Sequence, residues 1–445
     1  MDRENGDKSE IQVYTYRWII LCLFCLCNVI NFMQFLQFTI VGNVIQRYYN
    51  VELALVDATG LIFFVTFLLF FLPISYLIEK FNLKVTLITS ASLTAAGNLV
   101  KLFCNEPDRF YLVLIGQALC GTAQVYLLST PSKLASLWFG AEEVSTACAI
   151  GVLGAQLGAA LGAVFPPFLV KSNENISEIG EGIRLMALYY FIVSAVVLVL
   201  IVFCFRARPQ LPPSQSQLLL MEGTDNQEPF FKHCKELMKN RDFILILLSL
   251  GIFNGIWNSF GILINTIYLK YFPNGETDVG IITLCSIISG GCIGSLIFGF
   301  ILDKTHKFKK TTIAAMLFSV VSYAVCIYMF ITKSRLVTFF TTPLFGFFIA
   351  STLVISVEYA LEVTYPIPES ISCSILNGAI FLSAIICTLV FEALFDAVDY
   401  ICTFVVILVT MVVCIILTYF ISSNLRRRDA NVGQSRNSSI ATLGD

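Results

Sequence analysis

The stretch GFILDKTHKFKK, Gly299–Lys310, sets Asp303-Lys304 where a long apolar segment ends. An earlier stretch, YLIEKFNLKVT at Tyr76–Thr86, does the same with Glu79-Lys80. Two turns of one design at equivalent points of a chain read as an internal repeat. Between them lies an interval unlike its surroundings. RARPQLPPSQSQ (Arg206–Gln217) is rich in Pro, Ser and Gln, and EPFFKHCKELMKN (Glu228–Asn240) reads as an amphipathic surface helix.

Outward from these landmarks the chain is apolar. Of its 445 residues 57% are hydrophobic and 13% are charged, where a soluble domain carries about 25% charge. A bilayer-spanning helix needs about 20 mostly apolar residues. Twelve segments qualify: 17–46, 56–78, 84–104, 110–132, 143–169, 184–205, 242–270, 278–302, 310–332, 336–362, 369–395 and 398–422. The expected fold class is therefore an all-α polytopic membrane protein with twelve transmembrane helices in two six-helix halves. The expected division is an N-tail at 1–16, a first half at 17–205, a linker at 206–241, a second half at 242–422 and a C-tail at 423–445.

Net charge is -2, which leaves no basic footprint for nucleic acid. The fifteen cysteines mostly sit inside apolar runs, as in CLFCLC at Cys22–Cys27, and read as small hydrophobes rather than metal ligands. No metal or cofactor site is expected, and no phosphate loop or hydrolytic constellation either; the two histidines, His233 and His306, lie outside the apolar segments. The polar start MDRENGDKSE is neither a signal nor a transit peptide, so the first span is expected to act as its own insertion signal.

Lys and Arg placement gives the expected topology. With both termini cytoplasmic, 20 of the 28 basic residues fall inside and 8 outside. The triplet Arg426-Arg427-Arg428 agrees with that assignment. The sequon Asn175-Ile176-Ser177 then falls in an outer loop, and Asn175 is the expected glycosylation site. A second sequon at Asn437 falls in the cytoplasmic tail.

Side-chain amides interrupt the apolar segments. NFMQFLQFTIVGN (Asn31–Asn43) carries Asn31, Gln34 and Gln37 at a spacing that would drift across one helix face. Gln117 and Gln124 lie two turns apart in span four, and Asn254, Asn258 and Asn265 share a stripe in span seven. Amides facing lipid would go unsatisfied, so all three stripes are expected to face the bundle interior. Each serves there either as interhelical glue or as a polar contact for substrate. Phe35, Phe38, Trp257 and Phe260 stand among them, and such rings attract a cation by their faces. Asp57, Lys101, Arg184, Lys270, Glu392 and Asp396 fall near outer span ends, and none lies near a span centre. A proton-driven carrier usually keeps an ionisable relay within the membrane, so facilitated diffusion is favoured. Glu358 and Glu362, one turn apart at the inner end of span ten, are expected to join the Asp303–Lys304 loop as a gate or scaffold. Gly154, Gly158 and Gly162 in span five, with Gly290, Gly291, Gly294 and Gly299 in span eight, mark expected seams of close helix approach.

The paired loops, twelve spans and central linker resemble the major facilitator superfamily. SKLASLWFG (Ser132–Gly140), EVSTACAIGVLGAQLG (Glu143–Gly158), the run from Pro166 to Val170 and EYALEVTYP (Glu358–Pro366) resemble the feline leukemia virus subgroup C receptor-related family. So does the amide pattern of the first span, and the likeness covers roughly 17–170 and 230–395. The resemblance implies transport of choline or ethanolamine, with haem export as an alternative. It implies that spans one, four, seven and ten line the path, that spans five and eight pack together, and that the carrier is a monomer. It places Gln124 in the substrate pocket, with Phe35, Asn258 and Phe381 at further pocket positions, and the amide stripes and rings add Gln34, Asn254 and Trp257 as expected substrate-binding residues. A family tryptophan is Phe35 here, a family tyrosine is Asn258 and a family glutamine is Phe381, while Gln124 is retained. These departures leave a different small amine or polar solute open. A non-transporting receptor or sensor would need larger outer loops, and a channel would not need the two-half repeat. The plasma membrane is the expected location.

Overall fold

The computed structural model describes residues 12–140, 143–171, 175–213, 230–273, 275–305, 307–365, 367 and 369–422. The side chains of Glu79 and Asp303, His306, Arg426-Arg427-Arg428, Asn437 and most of the expected linker and tails lie outside the described residues. The described chain is helical. Eleven described helices are long and apolar enough to cross a membrane, and Arg17–Phe32 is a shorter apolar helix. Backbone groups in hydrocarbon have only each other to bond, which is why the spans are helices. Their outward faces carry bare apolar side chains, such as Phe203 at 80% exposure and Leu336 at 74%.

In chain order the helices are α1 (Arg17–Phe32), α2 (Gly42–Tyr49), α3 (Leu53–Lys80), α4 (Leu83–Lys101), α5 (Phe110–Leu128), α6 (Pro131–Trp138), α7 (Val144–Leu169) and α8 (Ile176–Cys204). There follow α9 (Phe230–Leu237), α10 (Arg241–Ile246), α11 (Ile252–Tyr271), α12 (Glu276–Ile287), α13 (Ser295–Thr305), α14 (Phe308–Ile331), α15 (Arg335–Thr364), α16 (Glu369–Ala397) and α17 (Tyr400–Tyr419). The linker helix expected at Glu228–Asn240 is α9. Spans seven and eight each contain a π-helical segment, Leu247–Gly251 and Ile288–Gly294.

The chain forms two compact units. The first takes the described residues of Met1–Gln227 with Gly261–Ile288, and the second takes those of Glu228–Phe260 with Ser289–Asp445. In the first, α1 packs on α7, α5 on α3 and α4, α8 on α4, and α12 on α7. In the second, α15 packs on α14 and α13, while the Leu247–Gly251 segment packs on α16 and α17.

The first span departs from expectation. Instead of one helix over 17–46, α1 ends at Phe32, a short 3₁₀ turn occupies Thr39–Val41, and α2 begins at Gly42. The amide-rich stretch is therefore where the helix breaks. A regular i, i+3, i+6 face does not continue beyond Phe32.

The glycine seams also differ in detail. Gly154, Gly158 and Gly162 face the first span, not the eighth. A Cβ at Gly158 would lie 2.5 Å from the Val29 carbonyl oxygen, and one at Gly162 would lie 2.4 Å from that of Met33. Spans five and eight do meet, through Gly280, whose Cβ would lie 2.7 Å from the Ala163 carbonyl oxygen. Gly290 and Gly294 face α15, where Gly346 O and Ser351 Oγ would each lie 2.1 Å from an added Cβ. Among the described residues nothing beyond its own helix backbone lies within 4 Å of a Cβ at Gly299.

Gly158→Leu should therefore force α7 off α1, at a cost of about 1–3 kcal/mol or more for overpacking. Gly299→Ala should leave stability level or raise it by up to about 1 kcal/mol through helix propensity. Thermal unfolding of the two purified variants beside the parent chain checks this; equal losses would refute the assigned seam.

Candidate functional site

The broken first span exposes main-chain groups that neighbouring amides satisfy. Gln117 Nε2 donates to the Gln34 carbonyl oxygen at 3.0 Å and to that of Thr59 at 3.4 Å. Asn31 Nδ2 donates to Cys120 O at 2.9 Å and Thr94 Oγ1 at 3.0 Å, holding the end of α1 to α5 and α4. Asn265, with its amide oriented to match its neighbours, donates to Ile40 O at 3.0 Å and accepts from Gly42 N at 3.1 Å. Asn43 Nδ2 donates to Glu276 Oε1 at 2.6 Å. Much of the amide set is therefore internal support for irregular backbone, the one setting in which such backbone is tolerated at membrane depth.

Gln34 is fully buried. Its Nε2 donates to Ile30 O at 3.3 Å, and its Oε1 accepts from Lys101 Nζ at 2.6 Å. Lys101 is the last residue of α4, near a span end as expected, yet it is only 2% exposed. Its ammonium turns inward.

Gln124 is different. It is 2% exposed, it lies on α5, and its Oε1 has no hydrogen-bond partner among the described residues. A buried unsatisfied acceptor costs roughly 1–3 kcal/mol, so such an atom calls for an explanation. Phe35, in the break, packs edge-on and tilted against Phe63 and Phe64, at centroid separations of 5.8 Å and 5.3 Å.

In the second unit, Asn254 is committed to its own scaffold. Its Nδ2 donates to Leu250 O at 2.8 Å and Ser356 Oγ at 3.1 Å, while its Oδ1 accepts from Thr352 Oγ1 at 3.1 Å. Asn258 Nδ2 donates to Asn254 O at 2.9 Å. Trp257 and Asn258 are both half-buried on α11. Trp257 joins an aromatic group: Phe260 at 6.4 Å, Phe345 at 5.9 Å, and Tyr323 in turn 5.2 Å from Phe345. The Tyr323 hydroxyl is buried and has no partner among the described residues. Phe345 and Tyr323 escaped the sequence reading because a lone Phe or Tyr in an apolar span carries no signal. Phe381 is buried on α16.

Of the expected inner network, Glu358 and Glu362 stand at the end of α15, and Lys304 Nζ lies 5.9 Å from the Phe300 ring centroid. Other bonds at that end of the second unit fasten the residues after α17. Asp242 accepts from Ser422 N at 2.9 Å and from its hydroxyl, Tyr359 donates to Ser422 O at 3.1 Å, and Lys309 donates to Ile421 O at 2.8 Å. In the first unit, Arg17 pairs with Glu143 at 3.0 Å and lies 5.7 Å over Phe139, fastening the start of α1 to the start of α7.

Comparison with known proteins agrees with this architecture. The family model described as Major Facilitator Superfamily matches residues 23–370. The choline/ethanolamine transporter flvcr2a of Danio rerio is 34% identical, over 98% of this chain and 93% of its own length. The choline/ethanolamine transporter FLVCR2 of Homo sapiens is 32% identical, over 96% of this chain and 81% of its own length. Among solved structures, a bacterial homologue of the human lysosomal transporter Spinster covers 94% of this chain and 99% of its own, with a TM-score of 0.71 at 15% identity. That likeness concerns the fold. Its relatives are transporters and not enzymes, and this multi-pass membrane protein belongs to the major facilitator superfamily and, within it, to the feline leukemia virus subgroup C receptor-related family of small-molecule transporters.

Proposed function

We propose that the chain is a facilitative, alternating-access carrier of a small organic cation of the choline and ethanolamine class. The observation that carries this reading is Gln124, a buried amide oxygen without a partner among the described residues. Choline and ethanolamine share a hydroxyl that can donate to such an acceptor. The ammonium end suits aromatic faces, which attract a cation without a carboxylate. In the first unit Phe35 joins Gln124 in this role. In the second, Trp257, Asn258 and Phe381 take it. Gln34 and Asn254 serve as positioning residues, since their amides already hold Lys101 and α15. Facilitated diffusion is supported by the absence of Asp or Glu from the span centres.

The same proposal keeps the division into halves at 17–205 and 242–422, joined by a linker at 206–241, with the tails at 1–16 and 423–445 cytoplasmic. It places the protein in the plasma membrane and Asn175 outside. Asn175 caps α8, its Oδ1 accepting from Ser177 N at 3.2 Å and Ser177 Oγ at 2.8 Å.

Uptake of labelled choline and ethanolamine into cells expressing the chain tests the function. Saturable uptake, indifferent to a collapsed proton gradient, is expected. Gln124→Ala should raise KM roughly fivefold to tenfold for both substrates, the worth of about one hydrogen bond. Absence of uptake by a chain at the cell surface would refute the substrate class, and a haem-efflux assay would follow. Trp257→Ala should raise KM roughly threefold or more, with Trp257→Phe recovering part of the loss, in line with about 0.5–2 kcal/mol for a cation–aromatic contact. Equal behaviour of the two variants would remove Trp257 from the cation's path. Asn175→Gln should collapse a glycosidase-sensitive band on gels; an unchanged band would count against the outer placement of that loop.

A further inference from the structure

Lys101 is a buried cation that the proposed transport cycle does not use. Its Nζ donates to Gln34 Oε1 at 2.6 Å and to Gln117 Oε1 at 3.1 Å. The centroid of the Phe38 ring lies 6.0 Å from Nζ. These acceptors are neutral amide oxygens and a ring face, not carboxylates. A buried charge is costly unless dipoles replace its water. Here both amides are fixed with their oxygens toward the lysine. Gln34 Nε2 is tied to Ile30 O, and Gln117 Nε2 to Gln34 O and Thr59 O. Gln37 Nε2 adds a bond to Gln117 Oε1 at 3.3 Å.

The lysine stem has its own groove. At Gly116 an added Cβ would lie 2.5 Å from Lys101 Cγ and 3.1 Å from its Cδ, so only glycine leaves room for the methylenes. Gly97, one turn before Lys101, lets α4 approach α5 closely, since a Cβ there would lie 2.6 Å from Gly116 O. Oriented oxygens, an aromatic face and a methylene-wide channel are the features that a short primary alkylammonium ion requires. All of these residues belong to the first unit.

We infer that Gln34, Gln117 and Phe38 form a binding cage for a primary ammonium group, and that Lys101 is its tethered occupant. Free amines are kept out of the cage while the lysine fills it. The cage is separate from Gln124, which lies seven residues along α5 from Gln117, about 10 Å of helix rise. It needs N–H donors, so it takes primary ammonium and refuses a quaternary one. This inference stands apart from the proposed substrate and is tested without transport.

Lys101→Ala removes three methylenes and the ammonium, a space matched by n-propylammonium. The full-length variant is purified, and its thermal unfolding is followed with n-propylammonium, tetramethylammonium or 1-propanol. The expected result is a saturable rise of several degrees with n-propylammonium alone. The parent chain, whose cage is filled, shows no such rise, and neither does Lys101→Ala combined with Gln117→Leu. If Lys101→Ala is recovered folded only when n-propylammonium is present during purification, that also supports the cage. A variant that gains nothing specific from n-propylammonium, or that aggregates equally with and without it, overturns the inference. A rise with tetramethylammonium equal to that with n-propylammonium overturns it too.

Discussion

A helix that stops inside hydrocarbon releases main-chain groups that water cannot reach. That constraint organises the first unit. The first span breaks between Phe32 and Thr39, and the side chain of Gln117 closes the gap. Its nitrogen serves two carbonyls, and its oxygen takes a lysine and a second glutamine. Asn31 and Asn265 finish the work on either side of the break. Gly154, Gly158 and Gly162 of α7 let the end of α1 and the start of the break lie against that helix, because a Cβ at these positions would meet the carbonyl oxygens of Cys25, Val29 and Met33. Such irregular backbone at membrane depth is a recurring basis for solute sites in transporters.

The two units answer the problem of buried polarity differently. The first unit builds a connected network around its broken helix. The second keeps α11 helical and hydrogen-bonds it to α15 through Asn254, whose amide meets Ser356 and Thr352 as well as Leu250 O. That leaves Trp257 and Asn258, a turn further on, half-buried and backed by Phe345 and Tyr323. A ring supported from behind by other rings keeps its orientation, which is what attraction of a cation by a ring face demands. Gln124 stands outside both networks: its Oε1, like Asn31 Oδ1 and Asn43 Oδ1, has no hydrogen-bond partner among the described residues, but Asn31 and Asn43 tie helices through their amide nitrogens.

Charge is spent at span ends. Arg17 with Glu143 joins two helix starts in the first unit, while Asp242 and Lys309 fasten the residues after α17 in the second. Several of these bonds run to main-chain atoms rather than to opposite charges. A carboxylate that accepts a backbone N–H beyond the last turn of a helix satisfies a main-chain donor that no helical bond reaches. Lys101 applies the same economy within the first unit, its ammonium held by two amide oxygens and the face of Phe38.

The sequence by itself determined the class of the molecule. Length and hydropathy made the spans, because roughly 20 apolar residues in a bilayer have no other stable form. The paired loops, the central linker and the motifs at Ser132–Gly140 and Glu143–Gly158 determined the family. Periodicity also brought the right amides to notice. What it could not decide was which of them hold helices and which stay free, because that depends on partners from distant spans. Gln34 and Gln124 look alike in the chain; one is occupied by Lys101 and the other has no hydrogen-bond partner for its Oε1 among the described residues. The break after Phe32 was hidden for the same reason. No proline or glycine marks residues 33–38, and the helix ends there because Gln117 and Asn31, both reaching across helices, make the alternative backbone affordable. Tertiary structure decided the inward turn of Lys101, since only the glycine groove on α5 gives its stem a path.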